Sequence, residues 1–232
     1  EQVDLMYSLI HQQVDAIVLV PIDSKALVQP VVEAVRKGVP VINIDIRLDT
    51  QLLEQAGVEV AFVGPDNFAA AYEVGKLLDK KLRNEDKVAI IEGLAAADNA
   101  QQRKRGFIKA IEEKGLRLVA SEPADWETEK AAEVFQAMWM RYPDLKAVYC
   151  SNDAMALGVL QQMQEKNCYL PVVGFDNDAV MKEFLSTGKL VATADIFSSQ
   201  MAVRGIEFAL DVLEGKIENR GVHSTAYEII KQ

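Results

Sequence analysis

Hydrogen-bonding side chains follow five apolar runs of this chain, and their types suit a polyhydroxylated ligand. A carboxylate accepts hydrogen bonds from two hydroxyl groups, an arginine donates to two oxygens, and a carboxamide does both. A tryptophan among them offers a flat apolar face to the C–H side of a sugar ring. The residues concerned are Asp45; Asp98, Asn99 and Arg103; Asp125 and Trp126; Asn152 and Asp153; and Asp176. Together they predict a binding site for a sugar or a related polyol.

Several of these residues also have simpler interpretations when each is taken alone. Asp45 could cap a turn, and Asp176 could begin a helix predicted at Ala179–Ser186. Asn152 could be the N-cap of the helix that follows it, although such a cap can also contact a ligand. Trp126 could be a packing residue. The prediction of a site therefore depends on the whole set.

Short β-branched runs alternate with longer amphipathic stretches, which is typical of parallel strands joined by crossover helices. The predicted strands are Ala16–Val20, Val39–Ile44, Val58–Val63, Lys87–Ile91, Leu116–Ala120, Ala147–Cys150, Val172–Gly174, Ala192–Asp195 and one near Ala226–Ile230. The predicted helices are Val3–Gln12, Ala26–Lys37, Phe68–Leu82, Ala100–Lys114, Glu127–Tyr142, Asp153–Glu165, Ala179–Ser186 and Ser198–Glu214. The fold class is therefore α/β with doubly wound parallel sheets, in which ligands bind beyond the carboxyl ends of the strands. The polar residues above lie at those ends.

Residue types that commonly begin or end helices stand at the ends of several predicted helices. Gly38 and Gly115 directly follow helices, where a left-handed backbone is common. Asp23-Ser24, Asn99 and Asn152 stand where N-caps are expected.

The composition argues against several classes of function. The formal net charge is −10, with basic residues scattered among carboxylates, so we expect no nucleic-acid partner. Charge or proline interrupts every apolar run well before it could span a bilayer, so no membrane insertion is expected. Two distant histidines and two cysteines supply no metal-ligand cluster, and whether Cys150 and Cys168 form a disulfide stays open. A P-loop, a G-x-G-x-x-G motif and a nucleophile elbow are absent from the sequence, so we expect no enzyme and no cofactor.

Four segments of the sequence closely resemble periplasmic sugar-binding proteins of the ribose/galactose type. They are Asn99–Phe107, Pro123–Trp126, Ser151–Gly158 and Val172–Asp176, and the spacings between them also agree. The resemblance implies a type I periplasmic-binding-protein fold, shared with the lac-repressor-like effector domains. Two lobes joined by three hinge crossings would close around the ligand. The expected N-terminal lobe is residues 1–65 plus 197–225, and the expected C-terminal lobe is residues 66–196 plus 226–232.

The resemblance also implies roles for single residues. Arg103, Trp126, Asn152 and Asp176 match sugar contacts of the second lobe, and Asp45 matches one from the first. Further candidate ligand contacts are Arg47, Asn99, Phe175, Asp195 and Gln200. The implied partners are a monosaccharide or polyol and the membrane permease of an ABC importer or a chemotaxis receptor. A monomer in the periplasm or another extracytoplasmic space is expected.

The sequence departs from the ribose-type pattern at several positions. Val20 and Ile196 stand where polar contacts are expected, and the basic partner of Asp45 is displaced to Arg47. The chain begins at Glu1 rather than at a methionine, so we expect a trimmed or processed chain. Family members begin with a strand, a helix and a second strand, and that unit is expected to be missing from the first lobe.

Two other functions are compatible with the same fold. One is the effector domain of a lac-repressor-type transcription regulator, and the other is the ligand-sensing domain of a receptor kinase. Against the regulator, the segment Pro123–Trp126 resembles the transport branch.

Overall fold

The computed structural model describes residues 1–231, apart from the side chain of residue 79. The strands are β1 Ile17–Leu19, β2 Val41–Ile44, β3 Phe62–Pro65, β4 Lys87–Glu92, β5 Arg117–Pro123, β6 Ala147–Cys150, β7 Val172–Val173, β8 Leu190–Asp195, β9 Val222–Thr225 and β10 Glu228–Lys231. The helices are α1 Gln2–His11, α2 Val28–Arg36, α3 Thr50–Gln55, α4 Asn67–Asp79, α5 Asp98–Lys114, α6 Thr128–Arg141, α7 Asp153–Glu165, α8 Lys182–Ser186 and α9 Ser198–Leu213.

These elements form two compact units. Unit 1 contains residues 1–65, 96–99 and 197–226, and unit 2 contains residues 66–95, 100–196 and those from Tyr227 onward. The sheet of unit 1 has the strand order β1-β2-β3-β9 and is parallel throughout. The sheet of unit 2 has the order β10-β8-β7-β6-β4-β5, in which β10 alone runs antiparallel to its neighbour. The predicted α/β class with parallel sheets is confirmed.

The strands of these sheets are largely apolar because helices cover the faces of the sheets. All four residues of β2 and all four of β6 are buried, as expected for central strands of a parallel sheet. In unit 2, residues of β4 and β6 share one core cluster with Phe135 and Met138 of α6 and Val159 of α7. Parallel neighbours bring the carboxyl ends of β4, β6 and β7 to the same edge of this sheet.

Most predicted elements agree with the structure to within a few residues, but one strand and one helix were not predicted. The strand predicted near Ala226–Ile230 is confirmed as β10, whereas β9, which precedes it and lies in the other sheet, was not predicted. A short apolar pattern cannot reveal that the chain changes units between them. Helix α3 was not predicted, because six residues are too few to show a helical period. Its N-cap is Asp49, whose side chain accepts a hydrogen bond from Leu52 N. The helix predicted at Ala179–Ser186 is a 3-10 turn followed by α8.

The predicted helix ends are partly confirmed. Asn152 is an N-cap, and Gly38 and Gly115 have φ angles of 84° and 72°. The other two N-cap predictions are wrong. The Asp23 carboxylate accepts from two backbone amides in a turn before α2 begins, and Asn99 lies inside the first turn of α5.

The sequence left open whether Cys150 and Cys168 form a disulfide, and both are free thiols. Within residues 1–231 no helix combines the length and the apolar character that a transmembrane segment needs.

A glycine lets helices α6 and α7 approach closely. A Cβ atom added at Gly158 would lie 2.0 Å from the backbone oxygen of Thr128, at the start of α6. We expect Gly158→Ala to lower the free energy of unfolding by about 1–3 kcal/mol, because a backbone carbonyl cannot easily move aside. Urea denaturation measures this change.

Gly75→Ala in α4 is the matched control. Its added Cβ would lie 3.0 Å from the Cβ of Ala110, a side-chain atom, and alanine also favours the helix. This variant should unfold close to the wild-type midpoint. A Gly158→Ala protein as stable as the control would contradict the account.

Candidate functional site

The centre of the candidate site is a buried arginine in unit 2. Arg103 of α5 is only 3% exposed. Its Nε donates to Oδ1 of Asn67 at 2.9 Å, and its Nη1 donates to the backbone oxygen of Ser151 at 2.9 Å. The same Nη1 lies 3.3 Å from Oδ1 of Asp176. A buried cation needs such partners, and these come from the start of α4, the end of β6 and the end of β7.

Two aromatic rings flank the guanidinium group of Arg103. Its Cζ lies 3.7 Å from the ring centroid of Phe175, which is fully buried, and 5.5 Å from the ring of Trp126. A planar guanidinium group interacts favourably with aromatic faces at such distances. The arginine and both aromatic residues predicted from the sequence are therefore neighbours.

The position of the Trp126 side chain depends on an unusual backbone conformation and on a neighbouring glycine. Asp125 and Trp126 both have left-handed backbones, with φ angles of 51° and 72°. A Cβ atom at Gly93 would lie 2.0 Å from the indole ring, so only glycine leaves room for the ring in this position. The carboxylate of Asp125 forms an ion pair with Lys130. Trp126 remains half-buried, so part of its surface is accessible to a ligand.

Asp176 lies in a tight turn beyond β7. Its φ angle is 106° and that of Asn177 is 60°. The backbone nitrogen of Asp176 donates to the oxygen of Ala194 at 2.7 Å, and its side chain is 27% exposed. Asp195 lies beside this turn, where its Oδ2 accepts from Nδ2 of Asn177 at 2.9 Å.

Asn152 combines the two interpretations that the sequence allowed. Its Oδ1 accepts from Met155 N at 2.9 Å and caps α7. The cap uses only the oxygen of the carboxamide, so Nδ2 can donate to a ligand while Oδ1 caps the helix.

The next residue, Asp153, is fully buried beneath the same turn. Its Oδ1 accepts from Thr193 Oγ1 at 2.9 Å and its Oδ2 from Asp178 N at 2.8 Å. Burial first, and then the carboxylates of Asp176 and Asp178, raise the pKa of Asp153 to about 7, against the two hydrogen bonds that lower it. Burial, together with the charge of Asp153, also raises the pKa of the Cys150 thiol well above its usual value.

Asp45 and Arg47 lie in unit 1. Asp45 follows β2 with a φ angle of 62°, and its backbone nitrogen donates to Val63 O at 3.1 Å. The guanidinium group of Arg47 lies 5.1 Å from the ring centroid of Phe62. Arg47 and Phe62 line a cavity of about 470 Å³ together with Glu54 and other residues of unit 1.

The other two candidates in unit 1 have contrasting environments. Asn99 is buried, and its Oδ1 has no hydrogen-bond partner within the described part of the chain. Gln200 is exposed on α9. Of the two positions that depart from the ribose pattern, Val20 is exposed in unit 1 and Ile196 is buried in unit 2.

One residue of the site was not selected from the sequence. Asn67 was missed, although it follows β3 in the way that the selected residues follow other strands. Asp153 was selected as one of the polar residues that follow β6, with a helix cap as its alternative interpretation. The partnership of Asp153 with Thr193 spans 40 residues of sequence, which no local pattern reveals.

The geometry suits binding of a polar ring rather than a reaction. Arg103 and Asp176 present a donor and an acceptor beside the faces of two aromatic side chains. Among residues 1–231, no group of three or more His, Cys, Asp or Glu side chains is arranged to hold a metal ion.

Comparison with known proteins identifies the family. Residues 1–217 match the periplasmic binding protein domain family. The chain is 42% identical over 234 residues to the D-ribose/D-allose-binding protein of Pseudomonas aeruginosa, covering 99% of this chain and 73% of that protein.

Solved structures agree with this match. An ABC transporter solute-binding protein from Burkholderia multivorans is 40% identical with a TM-score of 0.94, and one from Actinobacillus succinogenes with bound D-allose is 32% identical with a TM-score of 0.91. Each alignment covers 99% of this chain and 82% of the other. These relatives are solute-binding proteins and not enzymes, as predicted, and they give no support to the regulator or receptor-kinase alternatives. The chain belongs to the periplasmic binding protein domain family, a family of solute-binding proteins.

Proposed function

We propose that this chain is the sugar-binding component of an ABC-type importer and that its ligand has the ring hydroxyl pattern shared by D-ribose and D-allose. The observation that carries the proposal is the Arg103 guanidinium group, held between two aromatic rings beside the Asp176 carboxylate. In its pyranose form D-allose carries the same ring hydroxyl arrangement as D-ribose, with an added hydroxymethyl group. A relative named for both sugars and a neighbouring structure with bound D-allose support this choice.

In the proposed complex the polar groups of unit 2 bind the ring hydroxyls. Arg103 donates to hydroxyl oxygens, Asp176 accepts from hydroxyl groups, and Asn152 Nδ2 donates to a further oxygen. Trp126 packs against the C–H face of the ring. Each charge-assisted hydrogen bond contributes about 1–3 kcal/mol in a site from which water is excluded.

The family supports a proposal for the partner and for the location. The proposed partner is the membrane permease of an ABC importer, and the proposed location is the periplasm, because the family is one of periplasmic binding proteins. The assignment of the two units as lobes that close around the ligand, with Asp45 as a contact from unit 1, stays a prediction.

Unit 1 has an apolar surface beside an edge strand. Val18 and Val20, in and directly after edge strand β1, are exposed, as are Ile206, Leu210 and Leu213 of α9. Edge strands and apolar patches of this kind commonly bind a further segment of protein. We propose that a further strand pairs with β1 and a further helix packs on α9.

The first prediction concerns sugar selectivity. Thermal unfolding with D-ribose, D-allose and D-glucose should show a raised midpoint with the first two, because a ligand that binds the native state stabilises it by mass action. D-glucose is the control, since it differs from D-allose in the orientation of one ring hydroxyl. A midpoint that none of a panel of pentoses, hexoses and inositols shifts would contradict the proposed function.

The second prediction concerns Asp176. Asp176→Asn should weaken sugar binding at least about tenfold in calorimetry, because a charged acceptor is lost. Asp178→Asn removes the same charge two residues away on an exposed side chain and should keep wild-type affinity at about pH 8, where Asp153 is ionised. Equal losses in both variants would show that charge in general, and not a contact by Asp176, controls affinity.

The third prediction concerns the apolar surface of α9. Leu210→Glu should leave the thermal midpoint of this chain unchanged, because the side chain is 53% exposed. In a chimaera extended with the preceding segment of the Pseudomonas aeruginosa relative, the same substitution should lower the midpoint. An equal change in the thermal midpoint of both proteins would show that the added segment does not cover this face of α9.

A further inference from the structure

One polar side chain is buried beside Arg103 without capping the helix on which it lies. Asn67 is the first residue of α4 and is only 2% exposed. The N-cap of this helix is Asp66, whose side chain accepts from Ala69 N at 2.9 Å. Asparagine is seldom buried to this extent unless its polar atoms have hydrogen-bond partners. The hydrogen bond from Arg103 Nε to Asn67 Oδ1 at 2.9 Å supplies such a partner.

Two hydrogen bonds on different nitrogens fix the guanidinium group of Arg103 within its plane. Nε donates to Asn67 Oδ1, and Nη1 donates to the backbone oxygen of Ser151, each at 2.9 Å. Phe175 covers one face of the group, with its ring centroid 3.7 Å from Cζ. The side chain of Arg103 is 3% exposed, so each N–H group needs a partner in the protein or in the ligand. Together these contacts define one orientation of the group.

This orientation decides which nitrogen of Arg103 can donate to a ligand. A guanidinium group has N–H donors on Nε and on both terminal nitrogens. The protein uses Nε for Asn67, and it uses Nη1 for Ser151 and, at 3.3 Å, for Asp176. Nη2 can therefore donate to the hydroxyl oxygens of a sugar while the bonds within the protein remain in place.

Loss of the acceptor on Asn67 would change this arrangement. A buried Nε–H group without an acceptor is costly, so we expect the guanidinium group to turn about its remaining bond to Ser151. The Asp176 carboxylate, whose Oδ1 lies 3.3 Å from Nη1, is a charged acceptor within reach. A guanidinium group that turns toward it can pair with both carboxylate oxygens. The donor and the acceptor of the sugar site would then bind each other instead of the ligand.

We propose that Asn67 is a positioning residue of the sugar site: by accepting from Nε, it holds Arg103 so that Nη2 binds ligand hydroxyls and the Asp176 carboxylate stays available to accept from them. The inference rests on the proposed function, in which Arg103 and Asp176 contact the sugar. It gives Asn67 a role in binding that acts through Arg103 and requires no contact with the ligand.

The test compares two substitutions of Asn67 by calorimetric titration with D-ribose and with D-allose. Asn67→Leu keeps a side chain of similar size and removes the acceptor, so the dissociation constant should rise at least about tenfold. Asn67→Asp keeps an oxygen that can accept from Nε, and its dissociation constant should stay within about threefold of the wild-type value. Because both variants replace the same buried side chain, rescue by aspartate separates the effect of the hydrogen bond from that of packing.

Nitrogen NMR of the Nε–H group of Arg103 measures its hydrogen bond without sugar. In the wild-type protein this group should exchange slowly with water, because it is hydrogen-bonded and the side chain is 3% exposed. Arg103→Lys lacks the group and identifies its resonance. Asn67→Asp should keep the slow exchange, whereas in Asn67→Leu the resonance should shift and exchange at least about tenfold faster. A wild-type resonance that exchanges as fast as those of exposed arginines would by itself overturn the proposal.

Asn219→Leu is the matched control for the loss of an asparagine that bonds to other parts of the chain. Asn219 lies in unit 1, where its Oδ1 accepts from Ala61 N and its Nδ2 donates to Val41 O, both at 3.0 Å. This variant should lower the urea midpoint and leave the Arg103 resonance and the sugar affinity at their wild-type values. Equal losses of affinity in Asn219→Leu and Asn67→Leu would show that affinity follows stability, against the proposal.

Failure of the proposed function has a different signature from failure of this inference. If neither sugar binds the wild-type protein, the sugar assignment has failed, and the role of Asn67 in sugar binding fails with it. If the wild-type protein binds sugar and Asn67→Leu binds it equally well, the sugar assignment stands and only the role of Asn67 is overturned. The same holds if Asn67→Asp loses as much affinity as Asn67→Leu, or if Asn67→Leu leaves the Arg103 resonance unchanged.

Discussion

The buried guanidinium group of Arg103 is the interaction on which the rest of the site depends. Removing a cation from water costs several kcal/mol unless its hydrogen bonds and charge are matched. Asn67, Ser151 and the adjacent pair Phe175 and Asp176 meet that need from three separate parts of unit 2. Because Arg103 contacts all four, it fixes their relative positions and ties the ends of the strands to one another. In the proposed complex the exposed part of the Asp176 carboxylate binds a ligand hydroxyl.

Left-handed backbone positions form the second constraint. Asp45, Trp126 and Asp176 each have a positive φ angle directly after a strand or within the following loop. Such conformations cost free energy for side-chain-bearing residues and persist only where surrounding contacts hold them. Asp153 and Gly93 compensate for this cost in unit 2, one by hydrogen bonds and the other by leaving space. Binding geometry is thus maintained by residues that do not themselves face the ligand.

The sequence was sufficient to predict the layers of the fold and one face of the site. Buried parallel strands such as β6 are apolar throughout, and the polar residue after each strand indicates the binding edge. The sequence could not predict contacts between residues that are far apart in the chain. Asn67 looks like an ordinary first residue of a helix, and only the folded chain shows that it accepts from Arg103, 36 residues away. The switch of the chain from β9 to β10 was hidden for the same reason, since pairing with β3 and β8 leaves no local signal.

The central claim is that Trp126, beside Arg103, contacts a bound sugar, and tryptophan fluorescence tests it most directly. The chain has two tryptophans, so a Trp139→Phe variant reports on Trp126 alone. Addition of D-ribose or D-allose to this variant should produce a saturable change in emission, while Trp126→Phe, which retains Trp139, should show none. An emission that stays constant in the Trp139→Phe variant while calorimetry detects sugar binding would place the ligand elsewhere and contradict the account.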